Sequence, residues 1–186
     1  MLPTEFNRFL RVSKTSHRLT ELHLLNKFSY RYRLARSFTG LTAPNVGRTL
    51  AGYSVITKVF LSYTAYEAIL KAAIRLRVSS VSSFSMNMVF DKDLAKRIRN
   101  NDKLRNYLLS YPHDRGLANK VQLFFDGTTS DIVCVAFALR NVFAHGELTA
   151  SVVGTETIAK RKVFTDLAES LLDYCDDKFT LCLAKL

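Results

Sequence analysis

The stretch that most constrains the fold runs from Val46 to Arg77. It contains no proline and repeats its apolar residues at three- and four-residue intervals. Val55, Ile56, Val59, Phe60, Tyr63, Tyr66, Leu70, Ala73 and Ile74 keep to one stripe, which predicts a long amphipathic helix. Glu67 lies seven residues after Phe60 and seven before Ile74, inside that stripe and not on a charged back. A carboxylate there needs a cationic or hydrogen-bonding partner. The expected partner is Arg140, with Tyr63, one turn before Glu67, as a second polar group; a glutamate at the rim that reaches solvent is the other reading.

The same period governs the rest of the chain, so the expected class is all-α, a helical bundle. Thr4 to Ser13 and Ser16 to Ala35 read as two basic helices, with Phe6, Phe9, Leu10, Leu19, Leu22, Leu25 and Phe28 as apolar positions. Ser37 to Asn45, with Gly40 and Pro44, reads as a linker. This divides the chain into a basic N-terminal helical extension, 1–45, and a helical domain, 46–186. Val78 to Met88 is serine-rich and aperiodic, a loop. Asp91 to Ser110 is helical, with a break at Asn100 to Asp102 and a stop at Pro112. Leu117 to Phe125 is helix or strand. The final helix spans Thr155 to about Leu183.

The charge is uneven. Residues 1–50 hold 9 Lys or Arg against 2 Asp or Glu, and residues 51–100 hold 8 against 3, whereas the remainder is balanced. Such an excess suits a polyanion such as RNA, because neutralised phosphates release counterions; a solvated basic surface without a partner is the alternative. Arg97, Arg99 and Arg105, with Lys96 and Lys103, form one basic candidate surface. Tyr30, Arg31, Tyr32, Arg33 and Arg36 interleave aromatic and cationic groups, which suits stacking and phosphate pairing. The preferred reading of that stretch is the polar edge of a helix docked on the bundle. Cys134, Cys175 and Cys182 lack metal-ligand or CxxC spacing and read as reduced core thiols of a cytoplasmic protein. His17, His23, His113 and His145 are scattered, so neither a metal nor a cofactor is expected. No apolar run is long enough to span a membrane.

Chemistry concentrates in Ala138 to Thr149, A-L-R-N-V-F-A-H-G-E-L-T. Ile132, Val135, Ala136, Leu139, Val142 and Phe143 make one helical face, Ser130 and Asp131 a start and Gly146 a stop. Asn141 and His145, four residues apart, stack on a second face. Arg140 lies about 100° round the helix, within reach of the same end. Arg140-Asn141, three residues and His145, closing an apolar helix before a glycine, resembles the signature of the HEPN family. Its members are helical bundles, often metal-independent ribonucleases.

The resemblance implies an up-and-down core in which the motif helix lies between a long helix and a final one. It implies cleavage of RNA by attack of the ribose 2′-hydroxyl on the neighbouring phosphate. His145 would move the proton, Arg140 would meet the charge on the phosphate, and Asn141 would orient His145 or bind substrate. One histidine does not comfortably serve both proton transfers, and HEPN relatives pair two motifs, so a homodimer is implied. A toxin–antitoxin or defence setting, with an antitoxin protein as partner, is implied in the same way. Against it, some toxin members carry Tyr two residues after the His, where this chain has Glu147. The alternatives are a non-catalytic HEPN-like module that binds RNA or nucleotide, and a structural helical protein.

Overall fold

A computed structural model of the protein describes residues 2–44, 47, 49–78 and 91–186. The described residues form eight α-helices and no strand: α1 (Phe6–Val12), α2 (Leu19–Ser37), α3 (Thr49–Arg75), α4 (Lys92–Arg99), α5 (Asp102–Ser110), α6 (Arg115–Phe125), α7 (Ile132–Ala144) and α8 (Ile158–Leu183). The protein is an all-α helical bundle. The expected loop at Val78 to Met88 lies, beyond Val78, outside the described residues. Among them, no helix is long and apolar enough to cross a membrane.

Local chemistry explains the boundaries. Four successive helices begin at a residue whose side-chain oxygen accepts the first free backbone N–H groups: Asp91 for α4, Asn101 for α5, Asp114 for α6 and Asp131 for α7. The break expected at Asn100 to Asp102 is the junction of α4 and α5. Leu117 to Phe125, open between helix and strand on the sequence, is helical because Asp114 nucleates it and Leu117, Val121, Phe124 and Phe125 bury one face.

The chain forms two compact units that do not follow the boundary expected at residue 45. Unit 1 comprises Met1–Phe38, Leu61–Met88 and Glu169–Leu186; unit 2 comprises Thr39–Phe60 and Val89–Ala168. The N-terminal helices are thus part of a core and not an appended extension. In unit 1, Phe179 of α8 is fully buried and takes Phe9 of α1 and Phe28 of α2 at ring-centroid distances of 5.8 and 5.2 Å. Arg36 closes this core. Its guanidinium pairs with Glu169 and Asp173, and its Nε donates to the Tyr32 hydroxyl at 3.0 Å. Burial opposes the charge on Arg36, yet the hydrogen bonds it donates to Asp173 and Tyr32 outweigh it and raise its pKa above the ordinary value. Arg31 donates to the Thr64 carbonyl at 3.1 Å. Ile74, expected on the apolar stripe of α3, is exposed, and so are Leu10 and Leu19.

In unit 2, α4 packs on α5, α5 on α6 and α6 on α7. The first half of α3 approaches the segment after α7 so closely that only glycine fits at position 52. A Cβ there would lie 2.3 Å from Thr155 Oγ1 and 2.7 Å from the Ala150 Cβ. Gly52 therefore marks a close approach within a continuous helix.

Candidate functional site

α7 is apolar on every side until its last turn. Ile132 to Ala136, Ala138, Leu139 and Val142 are buried. Asp131 starts the helix by accepting from the Val133 N–H at 3.0 Å, and burial raises its pKa despite that bond. Ser130, read as part of the same start, instead accepts from Arg99 at 3.3 Å.

The polar groups gather at the exit. Arg140 and Asn141 are half-buried, and Arg140 Nη1 donates to Asn141 Oδ1 at 3.0 Å. His145 is the last residue with helical backbone, and its side chain is exposed. The chain then turns through Gly146 at φ +73°. The Gly146 N–H reaches the Phe143 carbonyl at 3.0 Å and the Glu147 N–H the Val142 carbonyl at 3.3 Å, a Schellman closure that needs the left-handed glycine. That closure brings Leu148 back into the core and leaves His145 outside it. Phe143 supports the turn against Phe60 of α3, with ring centroids 5.3 Å apart.

The segment after Gly146 is tied down by groups that the sequence reading passed over. Tyr107 of α5 donates its hydroxyl to the Glu147 carbonyl at 3.1 Å. Desolvation, and after it the nearby Glu147 carboxylate, raises the Tyr111 pKa. The His113 ring lies 4.9 Å from that of Tyr111. Burial lowers the His113 pKa. The spacing of Tyr107 and Tyr111, one helical turn, was the available signal.

Further along, Asn101 is buried and donates Nδ2 to the carbonyls of Val153 at 3.0 Å and Gly154 at 3.4 Å. Thr155 returns its hydroxyl to the Ala150 carbonyl at 2.8 Å.

Arg140, Asn141 and His145 are therefore brought together on one turn. Glu67 and Tyr63 belong to unit 1, on the second half of α3, where Tyr63 is buried and Glu67 half-buried. The three arginines of the expected basic surface are engaged within unit 2. Arg99 donates to the carbonyls of Phe124 at 2.8 Å and Thr129 at 2.7 Å and stacks over the Phe124 ring. Arg97 pairs with Asp166 at 2.7 Å, and Arg105 stands 4.0 Å from Asp126. Arg99 works as a clamp on the α6–α7 connection, and Arg97 and Arg105 face carboxylates before they could face a phosphate. Among the described residues, no cluster of three or more His, Cys, Asp or Glu could hold a metal ion.

Compared with known proteins, the chain matches no family model, no curated protein and no solved structure.

Proposed function

We propose that the protein is a metal-independent endoribonuclease of the HEPN type, acting from the exit of α7. The observation that carries this reading is the composition of one turn. On a helix that is otherwise apolar, the strongly polar residues are Arg140 and Asn141, and the residue that follows the helix is an exposed histidine, His145. A helix end needs no such set for its own stability, since the Schellman closure already satisfies its carbonyls.

In the proposed reaction His145 takes the proton of a ribose 2′-hydroxyl. The freed oxygen attacks the adjacent phosphorus, and the bond to the 5′-oxygen breaks. Arg140 balances the charge that builds on the phosphate oxygens. Asn141 holds the Arg140 guanidinium through its side-chain oxygen, a positioning role beside the orienting of His145 or the binding of substrate. The departing 5′-oxygen needs a proton in turn, and a second His145 in a homodimer would supply it. The antitoxin partner and the defence setting belong to this proposal through the family resemblance alone, and a cytoplasmic location through the reading of the three cysteines as reduced thiols.

The test is cleavage of RNA by purified protein in EDTA. His145→Ala should lower the rate by about 10²- to 10⁴-fold, the usual worth of one positioned acid or base, with unchanged helical circular dichroism. A variant that cleaves at the parental rate would refute the assignment. Binding without any cleavage would leave the non-catalytic module.

A further inference from the structure

Unit 1 carries a small cavity on the outer side of α1 and α2, of about 150 Å³. One wall is apolar, from Leu2, Phe6 and Leu10; the other is Asn26, Tyr30 and Arg33 of α2. Residues 26, 30 and 33 recur at one-turn spacing, so they share a helix face. Ser29 also borders the cavity, but its hydroxyl is spent on the Leu25 carbonyl at 2.9 Å. Phe6 is steadied by Phe9, at a ring-centroid distance of 5.7 Å.

The aromatic and cationic interleaving of α2 is thereby sorted in two. Tyr32, Arg36 and Arg31 are used inside unit 1, whereas Tyr30 is 67% exposed and Arg33 is exposed beside it. The side chains of Arg11, Lys14, Lys27 and Arg33 make no ion pair or hydrogen bond among the described residues, whereas the carboxylates of Glu5 and Glu21 face Arg8 and Arg75 and that of Asp176 accepts from Thr4. These four cations without a carboxylate partner favour an anionic ligand.

We infer that this cavity binds one unstacked base of single-stranded RNA, with Tyr30 stacking on the base, Asn26 hydrogen-bonding its edge and Arg33 meeting the adjoining phosphate. The volume suits a single heterocycle, being well below the roughly 300 Å³ at which pockets for larger ligands begin. An apolar wall facing an aromatic ring, an amide at the rim and an arginine beyond it are the parts from which unpaired bases are recognised. A base pair, whose edges are occupied and whose faces are stacked, cannot enter. The site belongs to unit 1 and the α7 exit to unit 2, and this proposal does not depend on the ribonuclease reading.

Fluorescence anisotropy of a labelled single-stranded hexa-adenylate tests this on the full-length chain carrying His145→Ala, so that cleavage cannot deplete the probe. Tyr30→Ala should weaken binding at least about fivefold, and Tyr30→Phe should stay within about twofold of the parent. Arg33→Ala should reduce the salt dependence of the affinity by about one counterion. Thermal midpoints should barely move, because these side chains are exposed. Parental affinity in both Tyr30→Ala and Arg33→Ala would overturn the proposal, as would the absence of binding at low salt. So would Tyr30-dependent binding of phosphatidylserine-containing vesicles with RNA binding unaffected, which would assign the surface to a lipid. Absence of cleavage by the parent chain, with Tyr30-dependent RNA binding retained, would refute the ribonuclease reading and leave this one standing.

Discussion

Replacing Asn101 with alanine should destabilise the protein far more than its place in a helix break suggests. Its Oδ1 accepts from the Leu104 N–H at 3.3 Å and so caps α5, a contribution of about 1 kcal/mol. Its Nδ2 bridges the carbonyls of Val153 and Gly154, the first at 3.0 Å and the second at a weaker 3.4 Å, together worth about 1–2 kcal/mol in a site where Asn101 is 4% exposed. The expected loss is about 2–3 kcal/mol, seen as a lower urea midpoint with unchanged slope and a fall in thermal midpoint of about 4–12 °C. Asn101→Ser should recover about 1 kcal/mol of this, because a serine hydroxyl can cap α5 but cannot reach both carbonyls. Asn101→Asp keeps the cap yet turns a carboxylate toward two carbonyl oxygens; it should be no better than alanine at pH 7 and improve on acidification, as the carboxyl gains a proton to donate. Hydrogen exchange should rise first in the 150–155 segment. An alanine variant within 0.5 kcal/mol of the parent would refute the reasoning, since it would mean that the Val153 and Gly154 carbonyls do not need Asn101.

Gly52→Ala sets helix propensity, a gain of about 1 kcal/mol, against a Cβ placed 2.3 Å from Thr155 Oγ1, where overpacking costs about 1–3 kcal/mol or more. Net destabilisation in urea is expected, and a gain would show that the 155 region yields easily. Asp131→Asn should stabilise the protein at neutral pH, because asparagine caps as well and burial holds the folded-state pKa of Asp131 above its unfolded value. The penalty on the parent is complete above the folded pKa and fades as pH falls from there to the unfolded pKa, so the advantage of the variant should vanish in acid. Urea midpoints across that range measure it. The native thiols should resist Ellman's reagent and all react in denaturant: Cys134, Cys175 and Cys182 are buried, and burial pushes the Cys182 thiol up to about 12.

Much of the architecture was legible because helical hydrogen bonds and side-chain periodicity are local. The break between α4 and α5, the span of α8, and the start and stop of α7 at Asp131 and Gly146 each rest on residues within four or five positions of the boundary. The Arg140–Asn141–His145 set was visible for the same reason, since a helix turn brings its own neighbours together. What the sequence did not determine depends on residues far away in the chain. Asn101 looks like a turn asparagine until its amide meets carbonyls 52 and 53 positions on. Gly52 looks like a helix interruption until Ala150 and Thr155 approach it. Arg97, Arg99 and Arg105 read as one basic surface, but tertiary packing supplies Asp166, the Phe124 and Thr129 carbonyls, and Asp126 as their partners. Tyr30 and Tyr32, two positions apart, are alike in the sequence. Tertiary packing buries Tyr32 beneath Arg36 and leaves Tyr30 facing outward, because residues two apart on a helix point about 160° away from each other and only one side of α2 has a core to enter.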